Sequence, residues 1–172
     1  MKKFELTTES KINIFGKKLF RIKALISFGD VEEGETGGWI EKEENLEQSY
    51  GNAWVCGDAE VYGNARVSGN ARVYGDARVS GNARVYGDAE VYGDARVYGN
   101  ADYTAIHGFG TQFRTTTFFR CKDKQIRVSC GCFFGTISEF REQVKNTRKG
   151  KIAEEYLTIA DLMEKHFAEE AK

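Results

Sequence analysis

The spacing of apolar residues changes twice along this chain. Between Asn52 and Ala105 it is strictly periodic. Valine recurs every sixth residue at Val55, Val61, Val67, Val73, Val79, Val85, Val91 and Val97, and Tyr103 takes the ninth place. Alanine stands two residues before each of these, and Gly-Asn or Gly-Asp joins successive units. Side chains alternate across a strand, so each Ala and Val share one face, while the residue between them and the residue after Val face the other way. The pattern predicts four-residue strands, apolar inward and polar outward, separated by two-residue corners. Glycine permits the unusual dihedrals of such corners, and Asn or Asp tolerates them.

Two foldings satisfy this pattern. An antiparallel meander with Gly-Asn hairpins would leave a flat Ala/Val face uncovered and two raw edges. A solenoid would bury Ala and Val in its own interior and pair each strand with the coil above. The second is the better match to so regular a repeat. If each coil holds three units, residue n stacks on n+18, and three outward columns result.

The units resemble the hexapeptide repeat of left-handed parallel β-helices, in which an aliphatic residue is followed four positions later by a small one. Val55 and Ala59, Val61 and Ala65, and each later pair through Val97 and Ala101 fit that rule. The resemblance implies a left-handed, three-sided coil, with about three regular turns over residues 52–105. Leu19-Phe20-Arg21-Ile22-Lys23-Ala24 and the stretch Gly37-Gly38-Trp39-Ile40-Glu41 look like the leader of a group of phage and prophage proteins of no settled activity. Thr117-Phe118-Phe119-Arg120 and Val128-Ser129-Cys130-Gly131-Cys132-Phe133 resemble the tail of the same group.

On either side of the repeat the pattern loosens. In residues 1–51, Ile12-Asn13-Ile14 and Phe20-Arg21-Ile22 alternate like strands around a turn at Gly16-Lys17, while Ile40 and Leu46, six apart, suggest a degenerate unit. This segment is expected to cap the coil, whose ends would otherwise be exposed. In residues 106–172, Thr115 to Arg120 and Gln125 to Ser129 predict a hairpin. Thr136 and Glu139 form a capping box that opens a helix with Ile137, Phe140 and Val144 on one face. Ile152, Tyr156, Ile159, Met163 and Phe167 mark a second helix. The predicted protein is mainly β: a parallel β-helix with a small C-terminal α+β module of ββαα form.

Composition narrows the function. The 172 residues include 25 basic and 26 acidic side chains, a net charge of -1 that disfavours nucleic acid as a partner. No apolar run is long enough for a membrane span. Glu5 interrupts the stretch in which an export signal would need apolar residues, so a cytoplasmic location is expected, with the four cysteines reduced.

Candidate chemistry is sparse. The richest outward column carries Trp54, Arg72 and Glu90 beside Cys56, Tyr74 and Tyr92. Exposed Trp, Tyr and Arg are interface residue types, so Trp54, Arg72, Tyr74, Glu90 and Tyr92 are the expected partner-binding strip. The strip also suits self-association into a trimer or dimer. Asp58, Asp76 and Asp94 should stack at one corner and Asn64, Asn82 and Asn100 at another. Cys121, Cys130 and Cys132 lack the paired Cys-x-x-Cys spacing of a strong zinc signature, and no metal or cofactor is expected. The chain has two histidines, His107 and His166, and the repeat contains neither. His107 is therefore the single plausible base for an acyltransferase-like alternative. A structural assembly protein is a further alternative. The expected function is non-enzymatic: a phage or prophage protein that engages or inhibits a protein of the bacterial host such as an antiviral-defence component.

Overall fold

The computed structural model describes residues 2–168; positions 1 and 169–172, at the outer ends of the first and third expected segments, lie outside the described residues. The chain divides into two units, Met1–Asn100 and Ala101–Lys172. The expected break after residue 51 does not separate units, because residues 2–51 build directly onto the coil.

The coil consists of eight very short parallel strands: β4 (Trp54–Val55), β5 (Glu60–Val61), β6 (Arg66–Val67), β7 (Arg72–Val73), β8 (Arg78–Val79), β9 (Arg84–Val85), β10 (Glu90–Val91) and β11 (Arg96–Val97). They stack at an interval of three units. Trp54 pairs with Arg72 and then Glu90, Glu60 with Arg78 and then Arg96, and Arg66 with Arg84. This is a three-turn parallel β-solenoid with three walls. Backbone hydrogen bonds such as Cys56 N to Val73 O (2.9 Å) and Arg72 N to Ala89 O (2.9 Å) tie the turns together. Every alanine and valine from Ala53 to Val97 is buried.

The regular strands are two residues long, not four, because the turn at each corner takes the remainder. Ala65 N reaches back to Tyr62 O (3.4 Å) across one such corner. At Gly69, with φ +67°, a Cβ would come within 2.9 Å of the Gly87 nitrogen in the next turn. Glycine is needed there for both the dihedral and the close stacking.

Upstream, β1 (Phe4–Ile12) and β2 (Lys18–Ala24) form an antiparallel hairpin, and β3 (Thr36–Ile40) pairs with β2 on one side and β5 on the other. The second wall is thereby extended into a six-stranded sheet ordered β1-β2-β3-β5-β8-β11. The hairpin starts earlier than its alternation suggested. Ile14 lies in the turn, where the Asn13 side chain accepts from Phe15 N and Lys17 N at 3.0 Å each. Ile40 lies over Val61 and Leu46 over Val67, so the degenerate turn is real. Its irregularity sits between Leu46 and Val55, nine residues apart instead of six. The extra three residues push out a longer corner around Tyr50.

The third wall ends at β9. Tyr103, expected as the ninth rung, instead begins β12 (Tyr103–Phe109) of a separate antiparallel sheet with β13 (Arg114–Arg120), β14 (Ile126–Cys130) and β15 (Phe133–Thr136). The second unit thus has four strands where two were expected. It also has both expected helices, α1 (Ile137–Thr147) and α2 (Gly150–Phe167). Thr136 and Glu139 form the capping box, with Thr136 N donating to Glu139 Oε2 at 2.7 Å and Glu139 N to Thr136 Oγ1 at 3.2 Å. The core of this unit joins Phe118 and Val128 of the sheet to Phe140, Tyr156, Ile159, Met163 and Phe167 of the helices.

Candidate functional site

The outward columns exist as expected, but the N-terminal segment decides which of them meet solvent. On the first wall Trp54 points outward and is nevertheless fully buried. Phe4 and Phe28 pack edge-on against its ring, at centroid distances of 6.4 and 5.5 Å. Gly37 brings the β3 backbone onto the same ring: a Cβ there would lie 2.6 Å from both Trp54 and Ile22. Trp54 therefore cannot belong to an exposed partner-binding strip. Arg72, the next rung, forms an ion pair with Asp30. Tyr74 and Tyr92 stack face to face at 4.5 Å and are half-buried, as Glu90 is. Burial pushes the Tyr74 hydroxyl well above the usual phenol range, with the Glu90 carboxylate adding to the shift. Four of the five expected strip residues thus share a wall that is partly occupied, and the fifth is core.

The second wall is covered in the same way. Glu60 is buried against Lys11 (2.8 Å), Arg78 (3.4 Å) and the Asn13 side chain (3.5 Å). Trp39 packs with Leu19 and Tyr62 and carries a cation on its ring from both Lys11 and Arg21, 4.6 and 4.5 Å from the centroid.

The third wall stays open. Arg66 and Arg84 stand side by side on paired strands and are both exposed, as is Tyr86 at 63%. Neither guanidinium forms an ion pair among the described residues. Above them the degenerate turn overhangs, supplying Glu43, Glu44, Glu47 and the 61% exposed Tyr50. The result is an open groove of about 720 Å³ floored by Arg66, Ser68 and Arg84. The overhang is pinned from behind. The buried Lys3 ammonium donates to Gly51 O (3.1 Å) and Tyr50 O (3.5 Å), and Gln48 accepts from Lys3 N at 2.9 Å. Burial pulls the Lys3 amine below the usual lysine range, partly offset by Glu47. A second exposed feature is the hairpin tip, where Ile12, Ile14 and Phe15 project into solvent.

The corner columns are also present. Asn64 Nδ2 donates to Asn82 Oδ1 (3.2 Å), while Asn100 turns instead to accept from Arg84 N (2.9 Å) at the end of the wall. At the aspartate corner the Arg96 guanidinium donates to the backbone carbonyls of Asp76 and Asp94 (3.0 and 3.1 Å), placing positive charge at that corner. No group of three His, Cys, Asp or Glu among the described residues is placed to hold a metal ion. Cys121 is buried, Cys130 half-buried and Cys132 exposed. His107 is exposed on β12 with Thr115 Oγ1 3.1 Å from its Nδ1.

Sequence reasoning singled out the column with the tryptophan; Arg66 and Arg84, related by the same n+18 step, were not picked out. The available signal was the nine-residue step from Leu46 to Val55, which marks an overhang above this wall.

The coil is similar to a known repeat. Residues 59–93 match the YdcK Beta solenoid repeat in four overlapping windows, 59–75, 65–80, 71–87 and 77–93. The match spans all three walls, including Arg66, Arg84 and Tyr86, and leaves the N-terminal segment and the second unit outside it. No curated protein matches the chain. Among the described residues no helix is long and apolar enough to cross a membrane.

Proposed function

We propose that the protein is a non-enzymatic binding module whose third wall docks a protein partner. The observation that carries this reading is the Arg66–Arg84 pair. Two cationic side chains on paired strands about 5 Å apart repel one another, and the groove above them is lined by tyrosines and edged by carboxylates. Carboxylates on a partner would relieve the repulsion, while Tyr50 and Tyr86 supply the aromatic anchors that dominate interface energetics. The groove lining contains no histidine or cysteine, so it offers no thiol nucleophile.

The resemblance to phage and prophage proteins makes a cytoplasmic protein of the bacterial host, including a defence component, the expected partner. The separate resemblance of the units to the hexapeptide repeat of left-handed parallel β-helices supports a left-handed coil of hexapeptide type. Self-association as a dimer or trimer belongs to this reading too, with the Tyr74–Tyr92 stack as a second contact surface.

The test is charge reversal at the groove. Wild-type protein is used to capture partners from host lysate, alongside Arg66→Glu/Arg84→Glu and Tyr74→Ala/Tyr92→Ala. A specific protein retained by wild type and by the tyrosine variant, and lost by the arginine variant, supports the third wall. Equal capture by all three, or an acetyl-CoA-dependent transferase rate abolished by His107→Ala, would reject the reading.

A further inference from the structure

The second unit contains a pocket unrelated to the solenoid groove. It lies between the ends of β12, β14 and β15 and the two helices, with a volume of about 110 Å³. Phe109, Phe133, Phe140 and Tyr156 wall its interior, and Arg114 and Arg148 stand at the rim. Its lining includes no carboxylate, although acidic residues outnumber basic ones in the chain as a whole.

Two glycines build this site. Gly110 has φ +73°, and a Cβ there would overlap the Tyr156 hydroxyl. That hydroxyl donates to Phe109 O at 3.2 Å, which fixes the back wall. Gly131 has φ +61°, a conformation that favours glycine, and the Arg114 guanidinium lies in the space a Cβ there would take. Burial and the neighbouring Cys130 thiol push the Tyr156 hydroxyl up to about 12, while Arg148 and Arg114 act in the opposite direction. Tyr156 is thus a neutral donor near neutral pH, and the net charge of the lining comes from the two arginines.

We propose that this pocket binds a small organic carboxylate, with its apolar body among the aromatic rings and its carboxylate at Arg114 and Arg148. Size limits the ligand. A dry apolar cavity of about 150 Å³ accepts a benzene ring, so this pocket accommodates a body of about four or five carbons. It is too small for a nucleotide. Guanidinium pairs bind carboxylates through charge-assisted hydrogen bonds, which supplies the selectivity for an anion over a neutral isostere.

Titration of the full chain near neutral pH with pentanoate, pentan-1-ol, pentylamine and inorganic phosphate tests this, followed by backbone NMR shifts. Pentanoate should bind about tenfold more tightly than the other three, with shifts confined to residues around Phe109, Cys132 and Tyr156. Octanoate should gain nothing over pentanoate. Arg114→Gln/Arg148→Gln, both at exposed positions, should reduce pentanoate to the level of pentanol and leave pentanol unchanged. Equal binding of pentanol or pentylamine would overturn the anion assignment, and equal binding of phosphate would overturn the apolar body. An unaffected double variant would overturn the role of the arginines. None of these outcomes bears on the solenoid groove, whose test uses different residues.

Discussion

The two units are stabilised by opposite strategies. In the solenoid the interior is filled by two residue types, alanine and valine, repeated with a period of six, and every turn buries the same small shape on the same neighbours. In the second unit the core is aperiodic and aromatic, with Phe140 set edge-on between Phe118 (6.3 Å) and Tyr156 (5.7 Å), both at 87°. Repetition makes each solenoid rung interchangeable in its interior, so individuality can arise only outside. There the N-terminal segment covers the first rung of two walls and leaves the third open. The aromatic core, by contrast, is specified residue by residue, and its imperfect closure leaves the small pocket between sheet and helices.

The sharpest way to break this contrast is a charge placed inside the solenoid against one placed outside it. Val73→Asp places a carboxylate in a dry interior, a cost large enough to exceed the whole stability of a typical domain. It should remove the solenoid's share of the β signal in circular dichroism and leave that of the second unit's sheet. Arg66→Asp, on the open wall, should shift stability by about 0.5 kcal/mol or less. Similar melting curves for the two would remove the inward and outward assignment.

Next in size are two aromatic truncations. Phe140→Ala should cost about 3–5 kcal/mol and show as early loss of the helical signal at 222 nm. Trp54→Ala should cost about as much by chemical denaturation, because Phe4, Phe28 and Gly37 close around its ring. An exposed outward tryptophan would lose far less, so a change under about 0.5 kcal/mol would show the N-terminal segment does not cover the first wall.

The smallest effect sharpens the local side of the second unit. Thr136→Ala should cost about 1 kcal/mol in thermal denaturation of the helices. The bonds from Thr136 N–H and then its hydroxyl hold the Glu139 carboxyl below the usual range. With the folded value depressed, the contribution of Glu139 is fully present above the ordinary glutamate range. It is lost as pH falls through that depressed value. Helix melting followed from about pH 6 to pH 2 should show an acid-labile component that Thr136→Ala reduces.

Much of this was legible because its physical cause is local. Ala and Val two residues apart must share a strand face, and the n+18 columns follow from three such units per turn, as Trp54, Arg72 and Glu90 show. The capping box at Thr136 and Glu139, with Phe140 and Val144 on one face, was equally local. Strands β12 and β15 escaped notice because neither Thr104-Ala105-Ile106-His107 nor the short Phe133–Thr136 run alternates clearly. Only pairing with β13 and β14 makes them strands.

By itself, then, the sequence determined the period, the inward and outward sets and the helix stripes, since each depends on residues a few positions apart. The tertiary structure alone decided that Trp54 is core, that Glu60 is buried among cations, and that Arg66 and Arg84 face an open groove. The first two outcomes depend on Phe4, Lys11, Phe28 and Gly37, which lie some 17 to 50 positions away from the side chains they cover. No local pattern records such coverage, because a solvent-facing position on an isolated strand looks the same whether or not a distant segment folds back over it.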